Sequence, residues 1–231
     1  MEIIPGIYHV PESSVGIFLI AEPDQLTLVD TGFATDTEPV ARLIAAVGRQ
    51  PSDVRRIILT HRHPDHIGGA AALKKLTGAQ VYAPEPDARA IADDPSQSFP
   101  VAPIGTLMRL FAGKKLTPPP CQVDVILKHN DELPIMGGLR VIGTPGHTKG
   151  HISLFHPTRR ILLAGDAVTT FGGRVRGSLP FLCDDYRQHC RTIRDLLAPL
   201  EIDAVLAGHG KPIREGAAPH FAALARKYTH M

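Results

Sequence analysis

The chain has 231 residues, 43% hydrophobic and 21% charged, and its 25 Lys and Arg against 23 Asp and Glu leave a formal net charge of +2. That composition excludes a disordered or fibrous chain, and the weak net charge offers no field to recruit nucleic acid or an anionic membrane, so a small molecule is the expected partner. Cys121, Cys183 and Cys190 lack a Cys-x-x-Cys spacing, which excludes a disulfide framework and a thiolate metal site.

The opening "MEIIPGIYHVPESS" has no basic stretch leading into a long apolar one, and no run approaches the ~18 apolar residues of a membrane span. The cytoplasm is the expected compartment. Strands are expected at "GIYHV", "VGIFLIAE" and "QLTLVD", with turns at 11–13 and 23–24. Val40, Leu43, Ile44 and Val47 then recur at helical spacing up to Gly48. "VRRIILT" reads as a strand, "HIGGAAALKKLTG" as a helix with a glycine stop, "QVYA" as a strand and "EPDARAIADD" as a short helix.

Residues 93–122 interrupt this rhythm with prolines around one apolar segment, "IGTLMRLFAG", and such a long irregular connection suits a lid or binding loop. Strands resume at "VDVIL", "LRVIGTP", "HISLFHP" and "RILLAGD". Tyr186, Cys190, Ile193 and Leu197 form a second helical stripe, with Cys190 as buried packing; "DAVLAG" is a strand, and Phe221, Leu224 and Tyr228 stripe a final helix. The two halves each run strands, helix, strand, helix, which points to one domain over 1–231 built as two sheets covered by helices.

The chemistry concentrates in "LTHRHPDHIGGA", where three imidazoles and a carboxylate follow a strand within six residues. Side chains two apart at a strand end point the same way, so His61 and His63 can share one ion. Pro64 turns the chain, and Asp65 and His66 can face a second ion beside it. Imidazole and carboxylate suit Zn, Fe or Mn, and burying so many polar groups without a cation is expensive. Further ligands recur in one setting, a His or Asp after an apolar strand and beside glycine: His147 in "VIGTPGHTKGH", Asp166 in "ILLAGDAV" and His209 in "AVLAGHGKP".

In sequence order, "LVDTG", "HRHPDH", "PGHTKGH", "AGD" and "GHG" resemble the metallo-β-lactamase-fold hydrolase superfamily over residues 1 to about 215. The resemblance implies an α/β fold, a four-layer αβ/βα sandwich, with a dinuclear site on one edge. It further implies that His61, His63 and His147 hold one divalent ion, Asp65, His66 and His209 a second, and that Asp166 bridges them. Zn is the expected metal, with Fe or Mn as options. Asp30 would orient the ligand loop from behind, and His151 would be a hydrogen-bonding residue rather than a ligand. The implied reaction is attack on an ester-type carbonyl by a metal-bridging hydroxide, acidified from pKa ~15.7 toward ~7, with Asp65 as the catalytic carboxylate that orients it and passes on a proton.

Asp166 separates the chain from the antibiotic-hydrolysing branch, which lacks that carboxylate. "GDAVTTFGGRV" stands where glyoxalase II-type enzymes show "GDTLF" and "GCGR", and Thr169 stands where acyl-homoserine lactonases place a Tyr. Thioester, lactone and other esters stay open, as do a phosphoester hydrolase and a mononuclear iron oxygenase resembling the persulfide dioxygenases. Candidate substrate contacts are Phe111 with Leu107, Met108 and Leu110 in the irregular segment, and Thr169, Phe171, Arg174 and Arg176 after Asp166; apolar walls with an arginine rim suit an acyl or aromatic ester carrying an acidic group. His9, His129, His156, His189, His220 and His230 are expected at the surface or in packing. The oligomeric state is open, a homodimer included.

Overall fold

Period-two apolar patterns build two sheets, and both faces of each sheet are covered. The computed structural model describes residues 1–94 and 117–229, so "IGTLMRLFAG", with Phe111, and His230 lie outside the described residues. Strands β1 (Glu2–Ile4), β2 (Ile7–His9), β3 (Phe18–Ala21) and β4 (Leu26–Val29) pair antiparallel in sequence order. Strands β5 (Val54–Ile58), β6 (Gln80–Pro84) and β7 (Val125–Leu127) extend the same sheet in parallel. A parallel step needs a crossover. Helix α1 (Thr37–Ala46) supplies the one before β5, α2 (Pro64–Ile67) and α3 (Ala70–Thr77) the one before β6, and α4 (Glu85–Ala92) follows β6.

The second sheet holds β8 (Glu132–Leu133), β9 (Leu139–Gly143), β10 (Ile152–His156) and β11 (Ile161–Gly165), all antiparallel, and then β14 (Ala204–Ala207) parallel to β11. Between β11 and β14 the chain makes a hairpin, β12 (Thr169–Phe171) with β13 (Arg174–Arg176), and a helix, α5 (Tyr186–Arg191), that continues as π-helical turns over Thr192–Leu197. Helix α6 (Ala218–Lys227) closes the described chain.

Alternation along the strands decides the layers. Leu19, Leu28, Ile57 and Val81 face out of the first sheet against Val40, Leu43 and Ile44 of α1 and Leu73 of α3. Their neighbours Phe18, Ile20, Val29 and Ile58 face inward and meet Val141, Leu154, Leu163 and Leu206 of the second sheet. On that sheet's outer face, Phe155, Leu162 and Val205 pack under Cys190, Ile193 and Leu197 and under Phe221 and Leu224 of α6. The order is helix, sheet, sheet, helix, as expected, and each fully buried Leu or Ile contributes roughly 1.5–3 kcal/mol. Among the described residues no helix is long and apolar enough to cross a membrane.

Two local expectations change. The helix expected over "HIGGAAALKKLTG" is two helices separated at Gly68 and Gly69, because this segment presses on the loop after β4: a Cβ at Gly68 would lie 2.8 Å from the Cα of Phe33, and one at Gly69 2.7 Å from the carbonyl of Thr31. The stretch "TTFGGRVRG", in which the sequence suggests candidate substrate contacts and no strand, is the β12–β13 hairpin, and Gly172 and Gly173 turn it with φ of 61° and 70°. Two consecutive positive φ values match the right-handed twist of a tight hairpin, and a Gly-Gly pair flanked by β-branched and aromatic residues carries that signal in the sequence.

Candidate metal centre

All seven expected ligands sit at one edge of the sandwich. His61 and His63 follow β5, Asp65 and His66 lie in α2, His147 follows β9, Asp166 follows β11 directly, and His209 follows β14. His61, His63, His147, Asp166 and His209 lie just past the carboxyl ends of strands, and Asp65 and His66 in the short helix that follows β5. His61–His63–His147, His61–His66–Asp166 and Asp65–His66–His209 are three groups whose donor atoms lie within 4.8 Å of one another.

Asp166 links the groups. Its Oδ2 lies 3.3 Å from Nε2 of His147 and 3.4 Å from Nε2 of His209, and its Oδ1 lies 3.4 Å from Nε2 of His66. Nε2 of His209 is also 3.2 Å from Oδ2 of Asp65, and Nδ1 of His63 faces Nε2 of His147 at 2.9 Å. Donors ~2.0–2.1 Å from a tetrahedral ion lie roughly 3.3–3.4 Å apart, which is the spacing around Asp166. Asp65 and His209 have side chains 23% and 30% exposed, whereas His61, His63, His66, His147 and Asp166 are buried, so access is from the Asp65–His209 side.

Hydrogen bonds behind the rings fix their tautomers. Asp30 accepts from the Thr60 N–H on Oδ1, and from the Thr60 hydroxyl and Nδ1 of His66 on Oδ2, each at 2.8 Å. Since the Thr60 hydroxyl donates to Asp30, it accepts from Nδ1 of His61 at 3.0 Å. His61 and His66 are therefore protonated on Nδ1 and aim Nε2 toward the centre, as a lone pair in the neutral His61 and as the atom a cation would claim in His66. Those two Nε2 atoms, with Nε2 of His63 and Oδ1 of Asp166, are buried without a hydrogen-bond partner. Buried unsatisfied polar atoms cost ~1–3 kcal/mol each and call for an explanation. Cations between the rings and the carboxylate satisfy those of His61, His66 and Asp166 together, and the donor set fits divalent metal.

The electrostatics agree. Burial pushes His61, His63 and His147 well below the usual imidazole range, with the Arg62 guanidinium adding to the effect on His63, so these rings stay neutral and keep a lone pair. At the other group burial is outweighed. The Asp166 carboxylate, helped by Asp30 and Asp65, raises His66 well above its ordinary value, and Asp166 with Asp65 raises His209 to about 10. Against the same burial, His66 and His209 hold Asp166 well below the carboxylate range. Two carboxylates thus draw protons onto two imidazoles, and a divalent cation answers the same demand.

Asp30 orients His66 and the Thr60–His61 step, and its neighbour Thr31 binds the His66 carbonyl through N–H and hydroxyl at 2.8 and 2.7 Å. His151 is hydrogen-bonding, as expected: Nε2 accepts the Asp166 N–H at 2.9 Å, and Nδ1 meets the Thr144 hydroxyl at 2.7 Å. The Asp166 carbonyl accepts from the Ser178 hydroxyl at 2.6 Å, and the Ser178 N–H donates to Nε2 of His189 at 3.1 Å. His189, expected only as surface or packing, is fully buried and supports the loop after Asp166. Gly208 precedes His209 for a steric reason, since a Cβ there would lie 2.2 Å from Oδ1 of Asp166.

The substrate candidates are less convergent. Thr169 is partly exposed, and it is Thr170, buried, that touches a ligand loop, through its N–H to the His209 carbonyl at 2.9 Å. Phe171, Arg174 and Arg176 are exposed, and among the described residues no hydrogen bond or ion pair ties them to the seven ligands. Arg174 instead lines a shallow cavity against Pro219, His220 and Lys227. A larger cavity of about 530 Å³ opens beside the His147 loop, with Leu127, Ile152 and Leu196 as apolar wall and Lys128 and Lys149 as cations; it includes none of the seven ligands.

Comparison with known proteins agrees with the motif order. The family model of the metallo-beta-lactamase superfamily matches residues 11–209. The probable metallo-hydrolase YflN of Bacillus subtilis is 28% identical over 233 residues, covering 92% of this chain and 86% of that protein. A hydroxyacylglutathione hydrolase of Rhodopseudomonas palustris is 31% identical over 168 residues, 67% of this chain and 54% of its own, so the chain spans about half the length of that relative. Among solved structures, a metallo-beta-lactamase family protein of Thermus thermophilus superposes with a TM-score of 0.72 at 27% identity, covering 97% of this chain and 80% of that one. The subclass B3 metallo-beta-lactamase BJP-1 of Bradyrhizobium japonicum, at 22% identity and a TM-score of 0.73, shares the fold over 99% of this chain and 90% of its own. With its four layers, strand-end histidines and matched family model, the chain belongs to the metallo-beta-lactamase superfamily, a family of divalent-metal hydrolases.

Proposed function

We propose that the chain is a dinuclear metal-dependent hydrolase of a small-molecule ester-type bond. His61, His63 and His147 would hold one cation, Asp65, His66 and His209 the other, and Asp166 would bridge them. The observation that carries this reading is Asp166, whose carboxylate lies 3.3–3.4 Å from rings of both triads. Bound there, a pair of divalent cations supplies Lewis acidity and a water acidified from pKa ~15.7 toward ~7.

The protein's own groups supply the rest. Asp65 is the partly exposed carboxylate at the entrance, placed to orient the attacking water and carry its proton to the departing oxygen or sulfur. Asp30 and Thr60 fix the rings so that nothing reorganises as the substrate carbonyl arrives. The relatives named for hydroxyacylglutathione support an acyl thioester as one member of the substrate class, beside lactones and other esters. Elemental analysis followed by a panel of thioesters, lactones, aryl esters and phosphoesters tests the reading. Two Zn per chain and turnover of an acyl substrate are expected; turnover of phosphoesters alone would overturn the carbonyl assignment.

One grouping favours a second reading. His61, His66 and Asp166 form a two-imidazole, one-carboxylate set, the pattern of a mononuclear iron oxygenase. A single Fe per chain with oxygen uptake would select it.

A further inference from the structure

Arg62 stands between His61 and His63, and the alternation that turns those two rings inward turns its side chain the other way. It is buried, 7% exposed, between two carboxylates, Asp87 on α4 and Asp184 before α5, themselves 1% and 5% exposed. Its guanidinium binds both oxygens of Asp184 at 2.9 Å and Oδ1 of Asp87 at 3.3 Å. Asp87 also accepts the backbone N–H of Arg62 at 3.0 Å, the Thr148 hydroxyl at 2.6 Å and the Gly150 N–H at 3.0 Å. Asp184 accepts the Lys149 N–H at 3.1 Å and donates its own N–H to the His147 carbonyl at 3.0 Å.

These bonds run to two loops. One carries His61 and His63, the other His147, and none of the bonds named here reaches Asp65, His66, Asp166 or His209. A buried charge cluster in which one guanidinium ties two carboxylates, each also accepting backbone N–H groups, is costly to assemble and stiff once assembled, so it suits holding two loops in register more than adding stability. We propose that Arg62, Asp87 and Asp184 are positioning residues that hold His61, His63 and His147 at ligand spacing and thereby set that triad's affinity for a divalent cation. The inference rests on the proposed function, in which each triad binds an ion.

Zn²⁺ titration of the metal-stripped chain against a chromophoric chelator tests it. His209→Ala leaves the first triad intact, and His63→Ala leaves the second. Arg62→Lys keeps the charge and loses the planar fork whose Nη1 reaches Asp87 while Nη2 reaches Asp184. It should weaken Zn²⁺ binding about 10- to 100-fold in the His209→Ala background and change it by less than about twofold in the His63→Ala background. Equal weakening in both backgrounds, or none in the first, overturns the proposal. If Arg62→Lys does not fold, Asp184→Asn is compared in the same two backgrounds and read the same way. A stripped wild-type chain that takes up no Zn²⁺ overturns the proposed function and this inference with it; uptake without dependence on background overturns the inference alone.

Discussion

The backbone N–H of Asp166 donates to Nε2 of His151 at 2.9 Å, so an imidazole with no place in either triad holds the peptide of the carboxylate that faces both. Nδ1 of the same ring meets the Thr144 hydroxyl, which fixes the tautomer and leaves Nε2 as the acceptor. His151→Ala would strand the Asp166 N–H and the Thr144 hydroxyl, at ~1–3 kcal/mol each. His151→Gln can return an acceptor to Asp166 but not the contact to Thr144. Denaturant unfolding should therefore show both variants destabilised, whereas Zn²⁺ competition should show Gln recovering most of the affinity that Ala loses. Equal affinities for the two would mean that the bond to Asp166 does not set the site.

Asp30 combines two properties that one substitution can separate. It sits at φ 57°, in the left-handed region, and its carboxylate holds His66 and Thr60. Asparagine tolerates that backbone almost as well as aspartate but loses the negative charge that keeps Nδ1 of His66 protonated. Asp30→Asn should then fold near wild-type stability and bind divalent metal about 10- to 100-fold more weakly. Asp30→Ala should lose stability as well. Thermal unfolding of the metal-free proteins, set beside their metal competition curves, gives both numbers.

The convergence of the seven candidate ligands is legible in the sequence because they are chemically distinctive residues that follow apolar strands, and a strand end can point in few directions. Asp30 was legible on the same ground. Arg62 was not: its partners Asp87 and Asp184 lie 25 and 122 residues away, and no local pattern joins them. His189 looked like a helix residue of no special context, and its role appears only once α5 is docked beside Ser178. The arginines after Asp166 suit a substrate rim by sequence proximity, and the Gly172–Gly173 turn folds them into a hairpin that faces solvent and α6.

The second triad should release protons as it takes up metal. In the metal-free chain His66 lies well above its usual value and His209 near 10, both raised by Asp166 and neighbouring carboxylates against the effect of burial. At pH 7 to 8 His209 carries a proton that a cation must displace, and the upward shift of His66 acts in the same direction. Calorimetric Zn²⁺ titration in buffers of different ionisation enthalpy should show net proton release, and affinity should fall as the pH is lowered. The stability of the metal-free chain has its own signs. The raised His209 contributes stability fully below pH ~6.5 that is lost as pH rises through about 10. The lowered His61, His63, His147 and His151 act oppositely, since the unfolded chain binds the protons that burial excludes, and their contribution is lost as pH falls below ~6.5. Unfolding free energies that kept rising from pH 6.5 into the acid range would contradict the neutral burial of these four rings.

Asp166 is the residue whose replacement separates one ion from two. Asp166→Asn preserves the shape, the N–H to His151 and the carbonyl to Ser178, but removes the charge opposite His66, His147 and His209. The His61–His63–His147 triad keeps all three of its imidazoles, while Asp65–His66–His209 loses the carboxylate that balances two of its members. Metal analysis of the variant should find the stoichiometry reduced toward one, with the residual ion in the first triad. Activity on any substrate the wild type turns over should fall by more than the ~100-fold upper range seen for supporting residues, because a bridging ligand acts on both ions at once. If Asp166→Asn retained two tightly held ions and wild-type turnover, the two triads would have to bind independently, and the link through Asp166 would be geometric coincidence.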